Sequence, residues 1–234
     1  VREIIYDKNQ RKIQSKMLRY QINPHFLYNT LNLIASMGEL SDFPEIVEIT
    51  KNLSCIMQYN VKGSRFVSLK TEVEMVKAYL EIQRIRFHDC FSVEYEIERQ
   101  IEQVRIVKFI LQPIVENAVV HGLEGVDGMG YIRIHIYEKI NGTEGTAVQG
   151  DTDSGDGCLI IEVSDNGNGM TKKQLEEVRN SLKEDSISKH SSIGMSNIDQ
   201  RIKLCYGNGY GVNIDSVEGE GTMVTVILPN KSKN

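Results

Sequence analysis

The order of apolar and polar positions divides the chain into stretches with a helical period and stretches with a strand period. Val1 to about Met37 predicts a long helix, free of glycine and rich in Lys, Arg, Gln, Glu, Leu and Ile. Its apolar residues Ile5, Ile13, Met17 and Leu18 fall near helical spacing. Pro24 lies inside this stretch, where a missing backbone donor kinks the axis. Phe26, Leu27, Thr30, Leu31 and Ile34 then resume the apolar stripe. Gly38 and Ser41-Asp42-Phe43-Pro44 predict a turn, and a second helix follows over Pro44 to Val61. Two helices of this size cannot cover both apolar faces alone. Dimerisation into a four-helix bundle is the expected solution.

Gly63 to Phe66 interrupts the helical pattern. Thr71 followed by Glu74 resembles a capping box for a third helix, about Leu69 to Phe87. The period then changes. Val93, Tyr95 and Ile97 alternate with Glu94, Glu96 and Glu98, which predicts a strand with one wet face. Val107 to His121 is apolar at helical spacing, and Ile132, Ile134 and Ile136 alternate as a further strand. Asn141 to Gly157 holds almost nothing apolar and predicts a long, mobile hairpin loop. A strand over Leu159 to Val163 ends at Asp165-Asn166-Gly167-Asn168-Gly169. Thr171 to Leu182 predicts a polar helix, and Asp185 to Ser192 is polar without a period. Gly194 to Cys205 predicts a last helix, and two closing strands flank Glu218 to Thr222. The expected organisation is a helical hairpin over residues 1–65. An α+β domain over residues 66–234 then mixes helices with an antiparallel sheet.

Composition narrows the classes. With 40% hydrophobic and 25% charged residues, the chain matches a soluble globular protein. Against a prior of about 150 residues per domain, its 234 residues make one large domain or two small ones. A formal net charge of -5 argues against bulk nucleic-acid binding, which leans on phosphate neutralisation. No apolar run approaches the roughly 18 residues that span a bilayer, and no secretory leader is visible. Cys55, Cys90, Cys158 and Cys205 lie far apart with no CxxC pair. That spacing opposes a zinc site or a disulfide framework and suits a reducing compartment. The chain begins with Val1, and the expectation is a piece of something longer.

Several polar groups stand where chemistry is the better explanation. No GxxxxGK[ST] occurs, which excludes a P-loop. Asp165 ends an apolar strand beside Gly167 and Gly169. A carboxylate there can accept a hydrogen bond from an exocyclic amine such as that of adenine, and glycine lets a flat ligand approach the backbone. The alternative is an ordinary Asp-Asn-Gly turn. Ser192-Ile193-Gly194-Met195-Ser196-Asn197 opens a helix, a ready anion site or a plain N-cap. Gly219-Glu220-Gly221-Thr222 joins two strands, as a ligand loop or a tight hairpin. Glu116, Asn117 and His121 interrupt an otherwise apolar helix, with Asn117 and His121 on one face. Asn offers a neutral oxygen ligand for Mg²⁺, which binds phosphates while keeping waters. His25, after Pro24, is a structural histidine or a nucleophilic imidazole. His88, His135 and His190 show no partner in the sequence and read as structural or exposed.

Taken in order, these sites resemble one family. Gln21-Ile22-Asn23-Pro24-His25-Phe26-Leu27-Tyr28-Asn29-Thr30-Leu31 resembles the phosphoacceptor box of LytS/YesM-type bacterial sensor histidine kinases. Leu111-Gln112-Pro113-Ile114-Val115-Glu116-Asn117-Ala118 is similar to their N box. Asp165 to Gly169 resembles their first glycine box, Ile193 to Asn197 with Arg201 the second, and Gly219 to Thr222 the third. Tyr79-Leu80-Glu81-Ile82-Gln83 with Arg84, Arg86 and Phe87 also resembles this family. The glycine boxes are shared with gyrase-type and Hsp90-type ATPases.

The resemblance implies an α helical hairpin that forms a four-helix bundle in a homodimer. An α+β two-layer ATP-binding sandwich of the gyrase/Hsp90/histidine-kinase type would follow it. It implies autophosphorylation of His25 with ATP and Mg²⁺, then transfer to an aspartate of a response regulator receiver domain. Asp165 would bind the adenine amino group and Asn117 would ligate Mg²⁺. His121, Gly167, Gly169, Gly194, Asn197, Gly219, Gly221 and Thr222 would complete the nucleotide site. Thr171 to Ser192 would be its lid, and a joint near Gly63 would let the ATP domain swing. The resemblance further implies an upstream membrane sensor, making this chain the cytoplasmic part of a bacterial plasma-membrane protein.

The departures are informative. Gyrase-type relatives carry a catalytic Glu where this chain has Pro113, which opposes plain ATP hydrolysis and leaves Glu116 as a polarising group. Many histidine kinases place an acidic residue after the histidine. Phe26 stands there, as expected in this family, and the base stays unassigned. Asn29, one turn after His25, would serve dephosphorylation of the regulator. Val120 replaces a Lys found in many relatives. The readings set against the kinase are a non-catalytic nucleotide-sensing dimeric scaffold and a gyrase-like ATPase.

Overall fold

A computed structural model describes residues 24–61, 64–123, 128–139, 157–183 and 193–230, excepting the side chains of Pro24, His25, His121, Lys183 and Ile193. It divides into two units, residues 1–62 and 63–234. The first 23 residues, and so the expected helix from Val1 to its proline, lie outside the described residues. So does nearly all of the expected 141–157 loop.

The first unit is a helical hairpin of α1 (Pro24–Leu40) and α2 (Pro44–Val61). Asp42 takes a left-handed φ of 57° to reverse the chain, and Phe43 N donates to the Gly38 carbonyl at 3.0 Å. A β-carbon on Gly38 would stand 3.1 Å from Val47 Cγ2, so glycine lets the two helices close tightly here. Phe26, Leu33, Met37 and Leu40 stay largely exposed along α1.

The second unit is a five-stranded sheet with helices on one face. Its strands are β2 (Phe91–Ile97), β4 (Gly130–Lys139), β5 (Cys158–Asp165), β6 (Gly211–Val217) and β7 (Gly221–Pro229). They lie in the order β2-β4-β5-β7-β6. Ile132, Ile134 and Ile136 are fully buried, alternating as their spacing predicts. Leu159, Ile161, Val226 and Leu228 continue the same core. The sheet is not wholly antiparallel as expected: β2 pairs with β4 in parallel, from Phe91↔Gly130 to Ile97↔Ile136. Parallel neighbours need a crossover. Here it runs through a 3₁₀ turn (Arg99–Ile101), β3 (Arg105–Val107) and α4 (Leu111–Asn117).

A two-stranded ribbon of β1 (Phe66–Ser68) and β3 sits apart from the main sheet. Helix α3 (Leu69–Arg86) follows β1 directly. Its N-cap is Ser68, whose Oγ accepts from Thr71 N at 3.2 Å, so the expected Thr71–Glu74 capping box is displaced by three residues. Helices α5 (Lys172–Lys183) and α6 (Ile193–Tyr206) pack on β6 and on each other.

Candidate nucleotide site

The site is built where β5, β7 and the end of the crossover helix meet. Asp165 is the last residue of β5 and pairs with Thr222 of β7. Its Oδ1 accepts the Gly167 amide at 2.9 Å. Burial pushes the carboxyl above its ordinary range, opposed by the backbone N–H groups of Gly167 and Thr222. A carboxylate held partly out of water with a free lone-pair direction is what an exocyclic amine needs.

Glycines shape the floor beneath it. A β-carbon on Gly167 would run into the Gly122 carbonyl, and one on Gly221 into the Asp165 carbonyl. Gly169 and Gly221 also take φ of +61° and +115°, a region side chains avoid. The Asn168 amide donates to Gly122 O at 3.0 Å, and the Gly219 amide donates to Asn168 O at 2.8 Å. Ser216 Oγ accepts from Met170 N at 2.9 Å and lies 2.9 Å from Thr222 Oγ1. The first and third glycine segments therefore form one hydrogen-bonded loop pair around Asp165.

The second wall comes from α4 and α6. After Asn117 the helix widens into a π turn, Ala118–Gly122. Such turns often mark functional positions. Asn117 Nδ2 is the nearest atom to a β-carbon built on Gly194, at 3.8 Å. The crossover helix and the start of α6 therefore converge. The Asn117 amide is half-buried and makes no hydrogen bond among the described residues. No group of three His, Cys, Asp or Glu side chains that could hold a metal occurs among the described residues. A single neutral amide oxygen would suit Mg²⁺ only if phosphates and water filled the remaining positions. Beside it, Glu116 accepts from Gln112 Nε2 at 2.6 Å. Burial, and then the Glu116 charge, push the Tyr79 hydroxyl up to about 12, against the Arg86 charge.

Residues 102–232 match the family of histidine kinase-, DNA gyrase B- and HSP90-like ATPases, and residues 13–91 match the histidine kinase family. The chain belongs to this histidine kinase and ATPase family. It is 29% identical over 224 residues to the sensor histidine kinase YesM of Bacillus subtilis, covering 95% of this chain and 34% of that protein. It is 28% identical to the sensor protein LytS of Bacillus anthracis, covering 92% of this chain and 34% of that protein. It is 32% identical to the sensor histidine kinase YpdA of Escherichia coli, covering 94% of this chain and 35% of that protein. The chain thus spans about a third of the length of these relatives.

Within this histidine kinase fold, Asp165, Gly167, Gly169, Gly219, Gly221 and Thr222 come together, as do Asn117 and Gly194. Asn197 points from an exposed position on α6, with no hydrogen bond to these groups among the described residues. His121 falls in the π turn and His25 and Asn29 in α1. Val120, where many relatives have Lys, is 42% exposed. The described part of the expected lid is helix α5, and residues 184–192 lie outside the described residues.

Two expectations need correction or addition. His135 is not without partners: its Nδ1 lies 3.4 Å from Glu162 Oε2 and its Nε2 3.8 Å from Glu96 Oε2. Its ring stacks on Tyr137 at 4.5 Å. The two glutamates come from the neighbouring strands β2 and β5, and no local pattern reveals them. Gly122 is the site residue that sequence reasoning passed over. A β-carbon there would stand 2.8 Å from Asp165 Cγ. Its signal was present in a glycine at the end of the Asn117 helix, but a helix-ending glycine also reads as an ordinary C-cap.

Proposed function

We propose that this chain is the kinase portion of a two-component sensor. It phosphorylates His25 from ATP and passes the phosphoryl group to an aspartate of a response regulator receiver domain. The observation that carries the reading is the half-buried Asp165 carboxylate resting on Gly122, with Asn117, on the helix that ends at Gly122, beside Gly194. Asp165 accepts the adenine amine, and a purine that lacks this donor would leave the carboxylate unpaired. Asn117 holds the Mg²⁺ that neutralises the phosphates, and amides at the start of α6 add donors. Such a site works by positioning and charge neutralisation. The imidazole of His25 enters neutral: its nitrogen bonds to the γ-phosphorus, the bond to ADP oxygen breaks, and the ring proton is lost.

Pro113 favours phosphoryl transfer over hydrolysis, because it leaves no carboxylate at the position where a gyrase-type enzyme activates water. The exposed apolar residues of α1 suit a homodimer, in which the paired hairpins form a four-helix bundle. On the family resemblance seen in its sequence, the chain is the cytoplasmic part of a longer bacterial plasma-membrane protein. Asn29, one turn after His25, assists dephosphorylation of the regulator.

The test is incubation with Mg-ATP labelled at the γ-phosphate. Label should stay on the protein, survive base, be lost in acid, and vanish in His25→Gln. Nucleotide binding by a confirmed dimer without retained label would favour a non-catalytic scaffold, and repeated release of free phosphate would favour an ATPase.

A further inference from the structure

The helix that carries Asn117 starts without a cap of its own. Ile110, at the cap position, has helical angles and makes no side-chain capping bond. The acceptor comes from α3 instead. Glu72, fully buried, takes the amides of Ile110 at 2.8 Å and Leu111 at 3.1 Å on Oε1, and that of Phe109 at 3.4 Å on Oε2. The carbonyl side of the same turn is held by α6. Arg201 Nη1 donates to Lys108 O at 2.8 Å and to Phe109 O at 3.4 Å. Phe109 between them is left-handed at φ 64°, a strain that surroundings must enforce. Its ring takes the Lys108 ammonium at 4.9 Å and the Arg201 guanidinium at 5.8 Å.

These contacts have a geometric consequence. Helix α6 meets the crossover helix twice: Arg201 at the turn before Leu111, and Gly194 beside Asn117. Gly194 and Arg201 are two turns apart on α6, as the turn and Asn117 are on their own helix, so the two helices run antiparallel in matched register. A one-residue slip of α6, about 1.5 Å, would break both Arg201 bonds and carry Gly194 off Asn117. The seven-residue helix is too short to hold its direction unaided.

We propose that Glu72 and Arg201 are positioning residues for the metal and phosphate end of the site. Glu72 fixes the origin of the Asn117 helix, and Arg201 fixes the register of α6 on it. The inference rests on the reading of Asn117 as the Mg²⁺-holding residue.

The test compares wild type, Glu72→Gln and Arg201→Lys in the whole chain. The affinity of ATP is measured with Mg²⁺ and with EDTA, and that of adenosine, which reads Asp165, is measured alongside. Amide hydrogen exchange of the ligand-free chain is followed at residues 110–117 and 159–165. Both variants should cut the gain in ATP affinity given by Mg²⁺ by roughly fivefold or more, the lower end of coupling between sites. Adenosine affinity should stay within about twofold, well inside that coupling range. Exchange should quicken at 110–117 and not at 159–165. An unchanged Mg²⁺ gain, or equal losses of ATP and adenosine affinity, would overturn the proposal. Should wild type gain nothing from Mg²⁺, the reading of Asn117 fails, and exchange then judges the clamp: equal rates at 110–117 in wild type and both variants sink it.

Discussion

The carboxylate of Asp165 rests on the backbone of Gly122. A methyl group at position 122 would stand 2.8 Å from both Cγ and Oδ1 of Asp165, and the Gly167 backbone closes the other side. Gly122→Ala therefore displaces the carboxylate rather than the helix. Nucleotide affinity should fall by about 5- to 150-fold, for an overpacking cost of about 1–3 kcal/mol. Titration with a fluorescent nucleotide reads the affinity, and helical circular dichroism should be unchanged.

Asp165 also sets a pH dependence. Burial raises its pKa, so the folded state favours the neutral acid. The sign is that stability is fullest below the ordinary carboxylate range and is lost as pH rises through the raised value. Binding runs the other way, because only the ionised group is the strong acceptor for an amine. Nucleotide affinity should decline on acidification from a higher pH than an ordinary aspartate would give. Asp165→Asn should abolish tight binding while melting no lower than wild type near neutral pH. Paired affinity and melting curves across pH check both.

Asn117 has no hydrogen bond to lose among the described residues, and alanine is the better helix former. Asn117→Ala should leave the melting temperature within a degree or two, since its propensity effect is below about 1 kcal/mol. It should remove the gain in ATP affinity from Mg²⁺ and the label on His25. A large drop in melting temperature would mean that the residue is structural.

Asp199 serves the fold. Nearly fully buried, it accepts Val212 N at 2.9 Å and pairs with Lys203 Nζ at 2.5 Å, tying α6 to β6. Asp199→Ala strands the buried Val212 amide and leaves the half-buried Lys203 ammonium only its bond to Leu182 O at 3.3 Å. The loss should be about 2–4 kcal/mol, seen as a lower denaturant midpoint, with the adenosine affinity of the remaining folded protein unchanged.

The exposed stripe of Phe26, Leu33, Met37 and Leu40 should govern self-association. Leu33→Glu with Met37→Glu should shift the sedimenting species from dimer to monomer without loss of helix content. Dimers that survive both charges would place the interface elsewhere.

Periodicity carried the regular elements well. The helix over Pro44–Val61 and the buried alternation Ile132, Ile134, Ile136 follow directly from residue spacing. The parallel pairing of β2 did not, because an edge strand with one wet face reads the same in either direction. The three-residue strands β1 and β3 are too short to show a period. In the site, glycines next to Asp165 and Gly194 stood out because their neighbours are polar. Glu72 did not, because the amides it accepts arrive only when α3 and α4 pack. Arg201 stood out by resemblance alone, and its carbonyl partners at Lys108 and Phe109 become visible only when α6 packs on the turn before α4.

Strand β7, the last among the described residues, is inserted between β5 and β6 and supplies Thr222 opposite Asp165. During translation β5 is made well before β7, so Asp165 has Ile132 of β4 beside it long before Thr222 arrives on its other side. A message cut short before Gly221 would leave β5 with one bare edge and β6 without a neighbour, because β7 is the strand that joins them.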